Sequence, residues 1–429
     1  MRMLAADPDR VLNIAGEYMR LGLYRRALDV LSAEYPATPP DEAEPGAVLP
    51  QNHPLVAYYR AYCHEKLGES ANTDDSAAEK MSKQYIFPSG AQALEVLRAA
   101  LKRNRQSATV NYLLGTQYFS IGLTDAALDS WETARKLNPK LPVLHADIGR
   151  ALLKVRNDPA RALTAFEEGV AVDPTNVELY LGMDQAQTLL GRSAKDRVGA
   201  LERYPNLANM PAELVYELAL NRSAAGDFDG AQSLFKNRFF PRHEGGTNVR
   251  QVWIEVKTLQ ALSFATANKC DAATSITNAL EKPAAGLDFT NEGLTPFVRS
   301  ARTQYLLGEI DAKCSRPEQA QQRWRNASQS DSSQEFVWAW RAARKLPNYD
   351  ESKWTSRSDA ALSNLNGRLE SMSQKGYWAY AVGLLEQELG RDDAARSHLT
   401  RAVLLPDRML SLHLSRIALG ETNPTVGKK

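Results

Sequence analysis

The sequence predicts an all-α protein, a right-handed superhelical solenoid of about ten helical hairpins. Two observations carry that prediction. Residues 108–174 hold two successive copies of one pattern, and the small and aromatic residues of each copy fall at helical spacing. The first copy reads Leu114-Gly115, Tyr118, Gly122, Ala127, Trp131, Ala134 and Pro139. The second reads Ile148-Gly149, Leu152, Ala162, Phe166, Gly169 and Pro174. Gly115 to Gly149 is 149 − 115 = 34 residues, whereas Ala127 to Ala162 and Pro139 to Pro174 are each 35. The extra residue therefore falls between the two helices of the second copy, at Asn157-Asp158-Pro159.

A period of about 34 with small residues at these offsets is the tetratricopeptide signature, a helix–turn–helix unit that stacks on its neighbours. Gly115 and Tyr118 share one face of the first helix (helix A), and Ala127, Trp131 and Ala134 share one face of the second (helix B). These i, i+3, i+4, i+7 relations put side chains in one stripe. Small residues at 115 and 127 permit close approach, and Trp131 is expected to fill the space toward the next unit. Pro139 stops helix B, because it cannot continue the hydrogen-bond ladder. Asp158-Pro159 reads as N-cap and first helical position.

A chain of 429 residues exceeds one compact core, but a solenoid grows without needing one. A net charge of +1 and 24% charged residues give no electrostatic case for nucleic acid or an anionic membrane. No apolar run approaches the roughly 20 residues of a transmembrane helix. The N-terminus, Met1 to Pro8, lacks the apolar core of a signal peptide and reads as the middle of a repeat array, so a C-terminal portion of a longer protein is expected. Cys63 lies in a helical pattern and reads as core. Cys270 and Cys314 each precede a helix B of adjacent units. Free thiols in a reducing compartment are the simpler account of them, and a pair in an oxidising one is the alternative. The compartment stays open.

In order, residues 8–35 form a first hairpin, with Val11, Ile14, Ala15 and Tyr18 on helix A, a turn at Gly22, then Ala27 and Leu31. Residues 36–54 are a loop. Helix A of the next unit runs to Gly68, and after an insertion over 69–90 its helix B starts at about Ala91. An insertion of that length is expected to be functional or to dock on the surface. Residues 177–190 and 194–204 make a degenerate hairpin, and 211–238 returns to pattern. A loop over 239–246 precedes a hairpin of 249–266 and 271–280. The next helix A ends near Gly308, and its helix B carries Ala320, Trp324 and Ala327. An irregular unit at 333–372 and a clear one at 377–404 follow, and residues 407–419 are expected to cap the last apolar face. The organisation is thus N-terminal repeats (1–68), insertion (69–90), tetratricopeptide repeats (91–238), repeats after the glycine loop (239–332), then irregular repeats and cap (333–429).

Over residues 85–330 the chain resembles the C-terminal half of a family of large bacterial proteins. The similarity runs from Phe87-Pro88 and Ala93-Leu94-Glu95-Val96-Leu97, through Tyr112-Leu113-Leu114-Gly115, Trp131 and Asp184-Gln185. It ends at Phe240-Pro241-Arg242-His243-Glu244-Gly245-Gly246. The resemblance implies a tetratricopeptide half preceded, in the whole protein, by a β-sandwich domain related in appearance to carbohydrate-active folds. Where the family tends to have Trp before Glu-Gly-Gly and a further Glu-Gly after it, this chain has His243 and Thr247-Asn248. The resemblance carries over no catalytic residue.

No phosphate loop, dinucleotide fingerprint, HExxH, GxSxG or CxxC occurs, and the six histidines lack metal-site spacing. No catalytic, cofactor-binding or metal-binding residue is therefore assigned. The candidates are for partner binding. Tyr112, Thr116, Phe119, Arg150, Lys154 and Gln185 should project from the A helices, where aromatics with Arg and Lys suit an acidic peptide or a terminal carboxylate. The bland alternative is a solvated groove with Phe119 packed between units and Asp184-Gln185 buried between helices. Arg242, His243, Glu244, Gly245 and Gly246 read either as a docking loop, with glycines for close approach, or as a tight connection. Trp338, Trp340 and Trp354 read as a sugar-stacking platform or, more simply, as fillers between irregular helices. Charged B-helix residues such as Arg135-Lys136 and Glu167-Glu168 read as a solvated face.

Three functions fit. The first is a non-catalytic scaffold binding protein, foremost an N-terminal β-sandwich domain of the same polypeptide and through it carbohydrate. The second is an accessory part of a carbohydrate-active enzyme that shapes its substrate site. The third is a free-standing peptide-binding adaptor.

Overall fold

The computed structural model describes residues 7–36, 48–240, 247–282, 286–287, 293–371, 375–405 and 409–420. Among them the only β pairing is an isolated bridge between Lys236 and Leu287; the rest is helix and turn. Two compact units divide the chain, residues 1–173 and 174–429.

The first unit is built of hairpins: α1 (Pro8–Arg20) with α2 (Tyr24–Leu31), then α3 (Pro54–Lys66), α4 (Asn72–Lys80) and α5 (Gly90–Arg103). It ends with α6 (Ala108–Ser120) against α7 (Thr124–Leu137), and α8 (Pro142–Lys154) against α9 (Pro159–Val172). In the second, α10 (Val177–Leu189) and α11 (Ala194–Leu201) are followed by α12 (Ala212–Ala224) and α13 (Phe228–Ser233). Next come α14 (Val249–Thr266), α15 (Cys270–Asn278), the short α16 (Thr295–Val298), α17 (Ala301–Lys313) and α18 (Pro317–Ser328). α19 (Phe336–Ala343), α20 (Glu351–Ser371), α21 (Lys375–Glu388), α22 (Asp392–Leu404) and α23 (Met409–Ala418) complete it. The fold is an all-α array of tetratricopeptide-like hairpins.

One steric device repeats. An added Cβ at Gly115 would sit 2.4 Å from Trp131 Cδ1, and one at Gly308 would sit 2.3 Å from Trp324 Nε1. Helix A thus carries a notch, and an aromatic of helix B fills it 16 residues later (131 − 115 and 324 − 308). Gly149 and Phe166 repeat the fit at 17 residues, because the α8–α9 turn is one residue longer. The extra residue is Asn157, held at φ 51°, and Asp158 caps α9 by accepting from Arg161 N at 3.1 Å.

This register corrects two expectations. Trp131 fills the notch of its own hairpin rather than the space toward the next one, and its Nε1 donates to Tyr112 O at 3.1 Å. Gly308 does not end its helix. It is the mid-helix notch for Trp324, and α17 runs on to Lys313 before the chain turns at Ser315, φ 55°.

The insertion holds helix α4 and docks by its carboxylates. Asp74 pairs with Arg60 at 2.7 Å, Asp75 accepts two bonds from Arg103 at 2.8 and 2.9 Å, and Glu79 accepts from Tyr58 at 3.2 Å. The α3–α5 hairpin is thereby tied across its long connection.

Cys270 and Cys314 are bonded to each other, with Cα atoms 5.4 Å apart, which overturns the free-thiol account. Cys270 opens α15 and Cys314 ends α17, so stacking of the two hairpins brings the sulfurs together. The bond closes a loop of 44 residues and constrains the unfolded chain. Reduction should lower stability by about 2–4 kcal/mol. Denaturant melts with and without dithiothreitol check this, with a Cys270→Ser, Cys314→Ser variant as the reducing-agent-insensitive control.

Candidate functional site

The A-helix face of the first unit brings some predicted residues together. Tyr112 on α6 is buried, not projecting, and its hydroxyl donates to Asp147 Oδ2 on α8 at 2.8 Å. Arg150 reaches the other oxygen of Asp147 at 3.0 Å. Burial first, and then the Asp147 carboxylate, push the Tyr112 hydroxyl well above its usual range. Thr116 turns back to donate to Tyr112 O at 3.1 Å. Phe119 is half-buried, its ring 5.4 Å from that of Trp131 in the same hairpin. Lys154 is exposed. Gln185 belongs to the second unit and is buried. Arg242, His243, Glu244, Gly245 and Gly246 lie outside the described residues. The chain entering that loop is anchored by Phe240, whose ring stacks 5.6 Å from Tyr216. The one leaving it is capped by Asn248, which accepts from Arg250 N at 3.0 Å.

The tryptophans make no open platform. Trp340 and Trp354 are buried, and Phe336 packs on both at 5.8 and 5.5 Å. Trp338 lies against the guanidinium groups of Arg302 and Arg341, 5.3 and 5.0 Å from its centroid, and donates to Tyr380. They fill the gaps between irregular helices.

The arrangement that sequence reasoning missed lies in the second unit. α23 packs on α21 and α22, as a cap should, but it also lies against α12. Every side chain from Leu410 to Arg416 is buried. Arg416, 1% exposed, pairs with Asp184 on α10 and, at 2.5 Å, with Glu217 on α12. It also donates to Asn221 Oδ1 at 3.0 Å. Arg197 on α11 donates to the same oxygen at 3.1 Å and lies 3.4 Å from Asp184. Asn221 completes the lattice by donating to Asp184 at 3.0 Å and Glu217 at 3.2 Å. One turn toward the N-terminus of α23, His413 Nε2 stands 3.4 Å from Glu255 of α14, which also pairs with Arg302 of α17. Burial alone would raise the Glu255 carboxyl, but Arg302 and His413 hold it below the usual value. From α21, Gln387 donates to Ala418 O at 3.1 Å and so ties down the end of α23. α23 therefore packs on α12, α21 and α22 and makes polar pairs with α10, α12 and α14.

A signal for this was present in the sequence. Glu217 and Asn221 fall at i, i+4 on a helix whose other buried residues, Ser223 apart, are apolar, and Arg416 lies near the end of a ten-residue helix rich in leucine. Buried charges need partners, so each announces one elsewhere.

Burial, reinforced by Asp184 and opposed by Arg416, pushes the Glu217 carboxyl up to about 8 from 4.5. The folded chain then holds a proton that the unfolded chain releases. The stability of the second unit should fall as pH rises from about 4.5 to about 8. Glu217→Gln should flatten that slope, and denaturant midpoints taken between these limits measure it. An unchanged slope in the variant would contradict the assignment.

No protein-family model matches the chain, and no curated protein matches it in sequence. Solved structures similar to it include YrrB, described as a tetratricopeptide protein with an unusual peptide-binding site. That match is 17% identical over 59% of this chain and 100% of that one, TM-score 0.32. Yeast Tom70 is 14% identical over 98% and 89%, TM-score 0.32. A tetratricopeptide repeat protein from Parabacteroides merdae is 13% identical over 78% and 98%, TM-score 0.27. Among the described residues no group of three or more His, Cys, Asp or Glu is placed to hold a metal ion, and no helix is long and apolar enough to cross a membrane. The described residues form an all-α array of helical repeats.

Proposed function

We propose that the chain is a non-catalytic scaffold for polypeptide binding, working as the C-terminal half of a longer protein and docked on its N-terminal β-sandwich domain. The supporting observation is a recurrence in the first unit. Leu21 and Leu23, Ile121 and Leu123, and Val155 are exposed, and each lies in the turn between helix A and helix B of its hairpin. Leu21 is 73% exposed. A single exposed leucine needs no explanation, but stacked hairpins carry their A–B turns along one edge, and repetition there makes an apolar strip. Tyr85 and Phe87, at the start of the segment that carries the family resemblance, are exposed as well. The Cys270–Cys314 bond fits a parent protein that works in an oxidising compartment.

The test uses the domain encoded upstream in the same reading frame, expressed separately. It should co-elute with the repeat chain in size-exclusion chromatography, and a Leu21→Asp, Ile121→Asp variant should abolish the complex while keeping its helicity. Absence of such a domain, or of the complex, sinks the reading.

A further inference from the structure

We propose that the cleft between α15 and α18 binds a small hydroxycarboxylate, an acid with hydroxyl groups beside its carboxylate. The site lies in the second unit and takes a small molecule, so it stands or falls apart from the polypeptide docking proposed above.

The cleft holds about 220 Å³, and its lining includes Asn278 of α15, Asp311 of α17, and Arg316, Gln319 and Arg323 at and within α18. Drug-sized ligands occupy about 300–1,000 Å³, so its guest is smaller. The first unit has the same groove between α7 and α9, floored by Ile148, Leu152 and Ala165. Asp311 lies three residues after its notch glycine, as Leu152 does, and Arg323 lies one residue before its notch-filling ring, as Ala165 does. Hairpin packing at these two positions is therefore served by an apolar pair. A buried acid beside a guanidinium is a costly replacement for it, and Asp311 is 4% exposed.

A purely structural ion pair would close here. In the α21–α22 hairpin the same two positions hold Glu386 and His398, which meet at 2.7 Å. Asp311 is instead paired with Arg316, and Arg323 stands 3.8 Å from its other oxygen, beyond hydrogen-bond distance. Burial pushes the Asp311 carboxyl upward against the pull of both arginines, and in either protonation state two guanidinium groups outnumber it. The cleft thus carries net positive charge, with the Arg323 fork placed to take a carboxylate through two parallel hydrogen bonds. Asn278 and Gln319 are exposed, one on each wall helix. Amides both donate and accept, as hydroxyls do, so they suit hydroxyl groups flanking the carboxylate. The Cys270–Cys314 bond joins the start of α15 to the end of α17, two residues before Arg316, and ties the walls together.

Isothermal titration of the full chain, without reducing agent, tests this with galacturonate and tartrate as probes. Galactose lacks the carboxylate and propionate lacks the hydroxyls, and each should bind about 10-fold more weakly than galacturonate. Arg323→Ala gives α18 the residue that α9 carries, so it should fold, and it should weaken galacturonate by about 10-fold. Gln319→Ala, at an exposed position, should weaken galacturonate and leave propionate unchanged. Failure of both probes to bind overturns the proposal, as does a folded Arg323→Ala chain that binds galacturonate as tightly as wild type. Inorganic phosphate that displaces galacturonate at equal concentration also overturns it, since the site would then hold any small anion. Should Arg323→Ala not fold, Gln319→Ala and the galactose and propionate comparisons decide.

Discussion

Asp184→Ala should destabilise the second unit by about 3–5 kcal/mol, among the largest single-residue effects expected in the chain. The carboxylate is 1% exposed and meets Arg416, Arg197 and Asn221 at once. Truncation removes its charge and leaves two guanidinium groups against a Glu217 carboxyl that burial already biases toward its neutral form. The cost is that of stranded charge, not of one lost hydrogen bond, which is typically about 1 kcal/mol. Asp184→Asn keeps the shape and one acceptor, so it should lose less. Denaturant melts followed by circular dichroism measure both. A loss under about 1 kcal/mol for the alanine variant would mean that water reaches the site and that the network is not dry. Because α10 and α23 share this network, the variant should also raise hydrogen exchange in α23, some 230 residues away in sequence.

That separation explains what could and could not be read from the sequence. The hairpins were legible because their chemistry is local. Gly115 and Trp131 are 16 residues apart, and the same pairing returns at Gly308 and Trp324. Periodicity records such spacing directly. It carries no record of Arg416 meeting Asp184, since nothing near either residue fixes that distance. The 407–419 stretch reads as a cap because a final apolar helix is what an array end requires, and α23 does pack on α21 and α22. Its further reach, to α10, α12 and α14, depends on how successive hairpins of the second unit stack, which no local spacing records. The disulfide was undecidable for a related reason, because spacing placed Cys270 and Cys314 in neighbouring hairpins but not within bonding distance. On the A face, Lys154 is exposed whereas Tyr112 and Gln185 are buried, a difference that residue type alone does not specify. Tyr112 points toward the next A helix, where Asp147, which was not singled out, takes its hydroxyl.

Trp131→Ala should cost the first unit about 3–5 kcal/mol, the range for emptying a buried aromatic site. The ring is fully enclosed, wedged over Gly115 with the Phe119 ring tilted against it, and its Nε1 satisfies a carbonyl of α6. The notch makes a sharper prediction than the cavity, because it fixes a sign. Alanine is favoured over glycine in a helix interior by up to about 1 kcal/mol. At Gly199 in α11, where an added Cβ meets nothing within 4 Å, Gly199→Ala should therefore stabilise by about 0.5–1 kcal/mol. At Gly115 the same methyl would sit 2.4 Å from the Trp131 ring, and Gly115→Ala should destabilise by about 1–3 kcal/mol. Combined with Trp131→Leu, the alanine should lose most of that penalty, giving a coupling of at least about 1 kcal/mol in a double-mutant cycle. Additive single effects would mean that the two helices simply move apart. The glycine would then be a tolerated residue, and the period of about 34 would owe its small positions to something other than the ring that fills them.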